Sequence, residues 1–197
     1  VVDNASSDGS VAMVAAKYPQ VVLIASDENL GFSAANNRGS AVATGEYLLF
    51  LNSDTVVPRA GLIRLVESLM ASGSIAAAGP LSNHVGHYQL TPVTYTSWET
   101  LDLFAEDFAH RETQDSDTDM LVGFCLAVRR SALHEVGAFD ETFGIGTFED
   151  NDLCYRLRRA GYRLAISRRA FVHHTGSKTL TRVVENPAAL LEQNRAR

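Results

Sequence analysis

Tyr47-Leu48-Leu49-Phe50-Leu51-Asn52-Ser53-Asp54 is the stretch that decides the fold. Its five apolar residues, aromatic at two positions and too few for a buried helix, predict a core strand. The small polar residues Asn52, Ser53 and Asp54 cannot continue a buried ladder, so the strand ends at Leu51. A carboxylate delivered at the C-terminal end of a buried strand lies where open α/β sheets place their ligands. Taken alone, the segment is equally well read as a strand followed by a polar turn.

Outward from this strand, short apolar runs alternate with helical patterns. Val1-Val2-Asp3 reads as the tail of a strand, and the chain is expected to be a fragment whose first strand and helix lie upstream. The turn-rich DNASSDGS follows, then a helical stripe of Val11, Val14 and Ala15 closed by Tyr18-Pro19. Val21 to Ala25 predicts a strand, and a small-residue helix ends at Gly45. Pro58 suits the first turn of a helix whose buried face is Leu62, Leu65, Val66, Leu69 and Met70. Ile75 to Ala78 and Met120 to Val128 read as strands, and Ser131 to Val136 as a short helix closed by Gly137. Between them, 81–119 is poorly patterned, with a helix at Ser97 to His110 and an acidic loop, QDSDTD. EDNDLCYRLRRAG predicts a helix with Leu153 and Leu157 on one face and Gly161 past its end. Arg163 to Ile166 and Phe171 to His173 are short strand candidates, and an incomplete helix starts at Asn186. The alternation predicts an α/β fold, a mostly parallel sheet with flanking helices in a single domain over residues 1–197.

The composition of the 197 residues, 46% hydrophobic and 20% charged, suits one sizeable core. No run approaches the roughly 18 apolar residues that cross a bilayer. Cys125 and Cys154 make neither a disulfide framework nor a zinc site, so a reduced, cytoplasmic setting is expected. Net charge is −6, from 17 basic and 23 acidic residues, which argues against nucleic acid as a partner.

Polar clusters fall at the element junctions: Asp3 with Asp8; Asn52 to Asp54; Glu149, Asp150 and Asp152; and His173-His174. Gathered carboxylates repel one another unless protons or a cation offset the charge. A divalent, oxygen-liking ion is the simplest remedy. Mg2+ takes one or two carboxylates plus substrate phosphates, and Mn2+ also accepts an imidazole.

VVDNASSDGS, ENLGFSAANNRG, LLFLNSDT, GFCLAVRR, FEDNDLCYRLRRAGYRL and HHTGSKT, in this order, resemble the family 2 glycosyltransferases, in particular a rhamnosyltransferase-like bacterial branch. Each motif alone is weak; the ordered set spans nearly the whole chain. The resemblance implies the Rossmann-like GT-A fold, with residues 1–80 as nucleotide-binding half and 81–197 as acceptor-side half. It implies an inverting, metal-dependent transfer of a hexosyl group from a UDP- or dTDP-sugar to an acceptor hydroxyl, in bacterial surface polysaccharide synthesis. The implied partners are a nucleotide-diphosphate sugar and a glycan or lipid-linked acceptor, which allows peripheral association at the inner face of the membrane.

The resemblance also implies roles for residues. Asp3 is similar to the acid that reads the nucleotide base, since a carboxylate accepts an imide N–H; an Asx turn or an N-cap for the next helix would use it as well. Asn29, Gly31 and Arg38 match the stretch that lies along the nucleotide. Asn52-Ser53-Asp54 stands where the family has its Asp-x-Asp-type metal motif, with Asn in the first place. That leaves Asp54 as the metal carboxylate, with Mn2+ or Mg2+, and Asn52 on the nucleotide ribose. Asp150 matches the catalytic base, with Glu149 and Asp152 as supporting groups. His174 fits the third metal ligand better than His173 does. Gly123-Phe124 stands at the acceptor-side loop, Trp98 could stack on a sugar but is read as a core residue, and His84, His87, His110 and His134 have no role.

Other readings compete. A non-catalytic nucleotide-sugar-binding module of the same fold would be favoured by Asn52. A dinucleotide-binding oxidoreductase would need a Gly-x-Gly-x-x-Gly turn after the first strand, where this chain has Gly9 alone.

Overall fold

The structure, a computed structural model, describes residues 1–111, 113–176 and 186–196. The strand expected at Tyr47 is β3 (Tyr47–Leu51), with Leu48 and Phe50 buried and Leu49 and Leu51 exposed. It forms one edge of a five-stranded sheet. Next to it comes β7 (Cys125–Arg129), then β5 (Ile75–Leu81), β8 (Arg163–Phe171) and β6 (Ser116–Thr118). β3, β5 and β8 share a direction, whereas β7 and β6 run against them, so the sheet is mixed. Before it, β1 (Val2–Asn4) and β2 (Ile24–Ser26) pair in parallel. A short antiparallel pair joins β4 (Thr55–Val56) to β9 (His173–His174), with Thr55 opposite His174.

Helices α1 (Ser10–Lys17), α2 (Gly31–Val42), α3 (Arg59–Met70) and α4 (Trp98–Ala109) lie between strands of the first half. Then come α5 (Arg130–Val136), α6 (Glu149–Arg159) and α7 (Pro187–Arg195). The core gathers Leu48, Phe50, Leu126, Val128, Leu153 and Leu157 from strands and helices distant in sequence. Cys125 and Cys154 are buried and free. Among the described residues, no helix is long and apolar enough to cross a membrane.

Several elements differ from expectation, each for a local reason. Leu65 and Leu69 are buried on α3, but Leu62 and Met70 are exposed. The buried face is instead set by Gly61, where an added Cβ would lie 2.3 Å from the Phe171 carbonyl oxygen. The acidic QDSDTD contains β6, because Asp117 receives Arg163 from the neighbouring strand at 2.6 Å. Of the run expected as a strand from Met120, only the part from Cys125 is one. Val122 N–H donates to Gln89 Oε1 (2.8 Å) and Leu121 N–H to Cys154 Sγ (3.3 Å), so these amides leave the ladder. β2 begins at Ile24, and the two strands expected in 163–173 are one continuous strand to Phe171.

Candidate active site

Because β3 and β7 are antiparallel neighbours with Leu51 opposite Cys125, the residues after one strand meet those before the other. Asn52 N–H donates to the Phe124 carbonyl at 2.9 Å, and Thr55 Oγ1 closes the turn on the Asn52 carbonyl at 2.7 Å. The turn presents Asp54, whose own carbonyl accepts from Thr175 N–H at 2.9 Å. Asp54 Oδ1 then lies 3.2 Å from His174 Nε2.

The His174 ring is fixed on several sides. Its Nδ1 lies 2.7 Å from the His84 carbonyl oxygen, which only accepts, so Nδ1 carries the hydrogen. The Phe124 ring stacks on it at 4.9 Å and 22°, and Asn83 holds the backbone at both N–H and C=O. Nε2 is therefore turned toward the Asp54 carboxylate. In the neutral imidazole these are two acceptors facing each other, and a proton or a cation between them removes the conflict. Cis ligands of an octahedral ion with bonds of about 2.1 Å lie about 3 Å apart, which the 3.2 Å separation matches. The pair thus fits a divalent cation that takes its other ligands from water and phosphate. Among the described residues, no group of three or more His, Cys, Asp or Glu side chains gathers to hold a metal by itself.

His173 points the other way, as adjacent strand residues do. Its Nδ1 hydrogen-bonds Tyr95 OH, and Trp98 meets its ring edge-on at 5.1 Å. Trp98 is 60% exposed, which corrects the expectation of a core tryptophan. It lies on the His173 side, not on the side of Asp54. Ser177, Lys178 and Thr179 of the HHTGSKT motif lie outside the described residues.

The acids at the start of α6 divide. Asp150 Oδ2 accepts from Gly123 N–H at 2.8 Å, and Oδ1 from Asn151 N–H at 2.9 Å. It lines a cleft of about 220 Å3 with Val122, Thr147, Phe148, Asn151 and Leu191. Glu149 is buried, and its Oε2 has no hydrogen-bond partner among the described residues. Burial, then the charge of Asp150, pushes its carboxyl up to about 7. Asp152 turns from the cleft to pair with Arg156 at 2.7 Å, which in turn donates to the carbonyls of Val136, Gly137 and Ala138. A larger groove of about 420 Å3 between α3 and α4, at Arg59, Ile63, Glu106 and His110, contains none of these motifs.

The clusters meet at two consecutive residues. Gly123 holds Asp150 through its amide, while Phe124 holds Asn52 through its carbonyl and His174 through its ring. Any Cβ at Gly123 would meet Phe32 Cζ at 3.2 Å and Asp150 Cβ at 3.4 Å. The dipeptide therefore ties the strand end, the imidazole and the base candidate to one spot.

The predicted nucleotide residues form a neighbouring group. Asp3 is buried, and its Oδ2 accepts from Ser6 N–H, three residues on, at 3.0 Å. The Asx turn is instead at Asp8, whose Oδ1 accepts from Ser10 N–H and Oγ. Asn4, which the sequence reading passed over, links Asn29 Oδ1 (2.8 Å), Leu30 N–H (2.8 Å) and the Gly31 carbonyl (3.2 Å). Gly31 has φ +81, and a Cβ there would lie 2.0 Å from the Gly144 carbonyl oxygen, so only glycine fits. Phe32 N–H donates to Ile145 C=O at 3.2 Å, tying this group to the loop before α6. Arg38 is exposed and donates to Ser26 Oγ at 3.1 Å. His84, given no role from sequence, supplies the carbonyl behind His174; a backbone contact leaves no motif.

The chain is similar to the pre-mycofactocin glycosyltransferase of Mycobacterium tuberculosis, 31% identical over 147 residues, 73% of this chain and 30% of that protein. It is 27% identical over 219 residues to the N-acetylglucosaminyl-diphospho-decaprenol L-rhamnosyltransferase of the same species, covering 90% of this chain and 66% of the relative. The mannosyltransferase PcManGT from Pyrobaculum calidifontis, solved in complex with GDP-Man and Mn2+, matches with a TM-score of 0.64 at 19% identity, over 100% of this chain and 59% of that one. The chain thus spans between about a third and two thirds of these proteins, and shares the GT-A fold. The model of Glycosyl transferase family 2 matches residues 1–137, which include Asp54 but neither Asp150 nor His174. With more than two thirds of its length matched in this way, the chain belongs to glycosyl transferase family 2.

Proposed function

We propose that the chain is the catalytic domain of an inverting glycosyltransferase that moves a sugar from a nucleotide diphosphate to an acceptor hydroxyl. The juxtaposition of Asp54, His174 and Asp150 about Gly123-Phe124 carries this reading. Residues 1–80 bind the nucleotide, through Asp3, the Asn4–Gly31 group and Asn52. Residues 81–197 form the acceptor side, where the cleft next to Asp150 opens.

Asp54 and His174 are the residues that would hold Mn2+ or Mg2+. Bound there, the cation supplies Lewis-acid stabilisation of the charge that develops on the leaving group. The side chains do the rest. Asp150, oriented by the Gly123 and Asn151 amides, accepts the proton of the acceptor hydroxyl. The hydroxyl oxygen bonds to the anomeric carbon as the bond to the diphosphate breaks on the opposite face, and that electron pair leaves with the nucleotide. Configuration inverts. Asp150 is preferred to Glu149 because geometry comes before pKa: Asp150 lines the cleft and Glu149 is buried behind it. Asp152 is a structural partner of Arg156, not a catalytic group.

The donor is a UDP- or dTDP-sugar, whose base offers an imide N–H to Asp3; a purine diphosphate, as in the mannosyltransferase complex, is the alternative. The relative named for a diphospho-decaprenol acceptor favours a lipid-linked acceptor at a membrane surface, in polysaccharide synthesis. The test is a thermal-shift panel of UDP, dTDP and GDP with and without Mn2+. At a hundredfold excess over Kd, a ligand stabilises by about 2.7 kcal/mol. A shift that needs both nucleotide and metal supports the reading; no shift with any of the three contradicts it.

A further inference from the structure

The loop leading into α6 has an unusual backbone. Thr147 and Phe148, neither of them glycine, take φ of 78 and 69 in succession, after Gly144 at 65 and Gly146 at 147. A β-branched and a bulky aromatic residue adopt this region only when their surroundings impose it. Phe148 is also the residue on which α6 begins, two before Asp150. Whatever fixes this loop therefore fixes the carboxylate.

One side of the loop is tied to α2, through Phe32 N–H and the close Gly31–Gly144 packing. The other side is tied to α7 by the side chain of Asn194. Asn194 is 3% exposed, and its Nδ2 lies 2.8 Å from the Gly146 carbonyl, 3.0 Å from Phe143 C=O and 3.3 Å from Thr147 C=O. It also lies 3.2 Å from Thr147 Oγ1. An amide has two hydrogens to give, and here every neighbour that it reaches can accept. Leu191, three residues earlier on the same helix face, lines the cleft beside Asp150. α7 thus touches both the base's cleft and the loop that aims the base.

We propose that Asn194 is a positioning residue for glycosyl transfer: by donating to the carbonyls of Phe143 and Gly146 it holds the strained loop, and so sets where Asp150 presents its carboxylate. This rests on the reading of Asp150 as the base. Asn194 touches no reacting atom, and its effect is on turnover more than on donor binding.

The test compares Asn194→Ala and Asn194→Asp with the unaltered chain by hydrogen exchange, read on peptides covering 141–155. Donor turnover is measured in parallel as nucleotide release with the donor sugar that stabilises the protein. Asp matches Asn in shape but, when ionised, only accepts, so it should be no better than Ala. Both variants should speed exchange in 143–151 by about tenfold, roughly the worth of one buried hydrogen bond. β5 and β7 should keep their wild-type rates. kcat should fall by a similar factor, with KM for the donor nearly unchanged. Wild-type exchange in 143–151 in the Ala variant, or its restoration by Asp, would overturn the proposal. So would loosened exchange with unchanged kcat. A wild-type protein that turns over no donor would refute the transferase reading itself, and the exchange arm would still decide whether Asn194 holds the loop.

Discussion

Asp150 and Glu149 are neighbours in sequence and opposites in environment. Asp150 faces the cleft with two backbone amides on its oxygens, and Glu149 is buried with one oxygen unmatched among the described residues. A general base contributes about 10²–10⁴-fold, so Asp150→Asn should lose transfer by that order while nucleotide-induced thermal stabilisation persists; near-normal turnover would remove Asp150 from its role. Glu149 gives a stability signature. Its folded pKa, about 7, stands above the ordinary 4.5, so the folded chain holds the proton more tightly than the unfolded chain does. The stabilisation is complete below pH 4.5 and is lost as pH rises through 7. At about 1.4 kcal/mol per pH unit, the loss reaches about 3 kcal/mol. Glu149→Gln should therefore flatten the fall in stability between pH 4.5 and 7 seen by urea denaturation. An equally steep fall in the variant would show that another group causes it.

At the scale of elements, packing distances decide more than side-chain type. Gly61 brings α3 against β8, and a Cβ there meets a backbone oxygen at 2.3 Å. Neither partner can rotate away. Overpacking costs about 1–3 kcal/mol, and Gly61→Ala belongs at the upper end, lowering Tm by roughly 5–10 °C in a chain of this size. Nucleotide affinity of the folded protein should not change, and a Tm within 2 °C of wild type would contradict the packing. The same distinction separates what was legible in the sequence from what was not. β3, α4, α5 and α6 could be read because apolar spacing and end residues agree: Ser97 caps α4, and Gly137 and Gly161 take positive φ after α5 and α6. The buried face of α3 escapes the apolar spacing because glycine, with no side chain, sets it. β6 reads as a loop from sequence because its aspartate is satisfied by Arg163 across the strands, a contact distant in sequence. Asp54, His174 and Asp150 came from motif order. The means of their assembly did not: the Gly123 amide, the Phe124 carbonyl and the His84 carbonyl are backbone groups that every sequence has.

For the whole molecule, the mixed sheet does the assembling. Antiparallel β3 and β7 turn the end of one strand toward the start of the other, β4–β9 sets Asp54 beside His174, and the loop before α6 is secured from α2 and α7. Asp150, Asn52 and His174 thus share the dipeptide Gly123-Phe124 as a common wall. A bulky residue at 123 should separate them: Gly123→Val would press on Phe32 and Asp150 at once. It should lower transfer at least as much as it lowers stability, as read by kcat at a temperature where the variant remains folded. Full activity in that variant would show that the base does not depend on this contact. The most direct measurement is electron spin-echo spectroscopy of Mn2+ bound with a nucleoside diphosphate, in the wild-type protein and in His174→Ala. The expected spectrum carries modulation from one directly bound imidazole nitrogen, absent in His174→Ala and retained in Asp150→Asn. A wild-type spectrum without nitrogen coupling, under conditions where metal and nucleotide are both bound, would contradict the account.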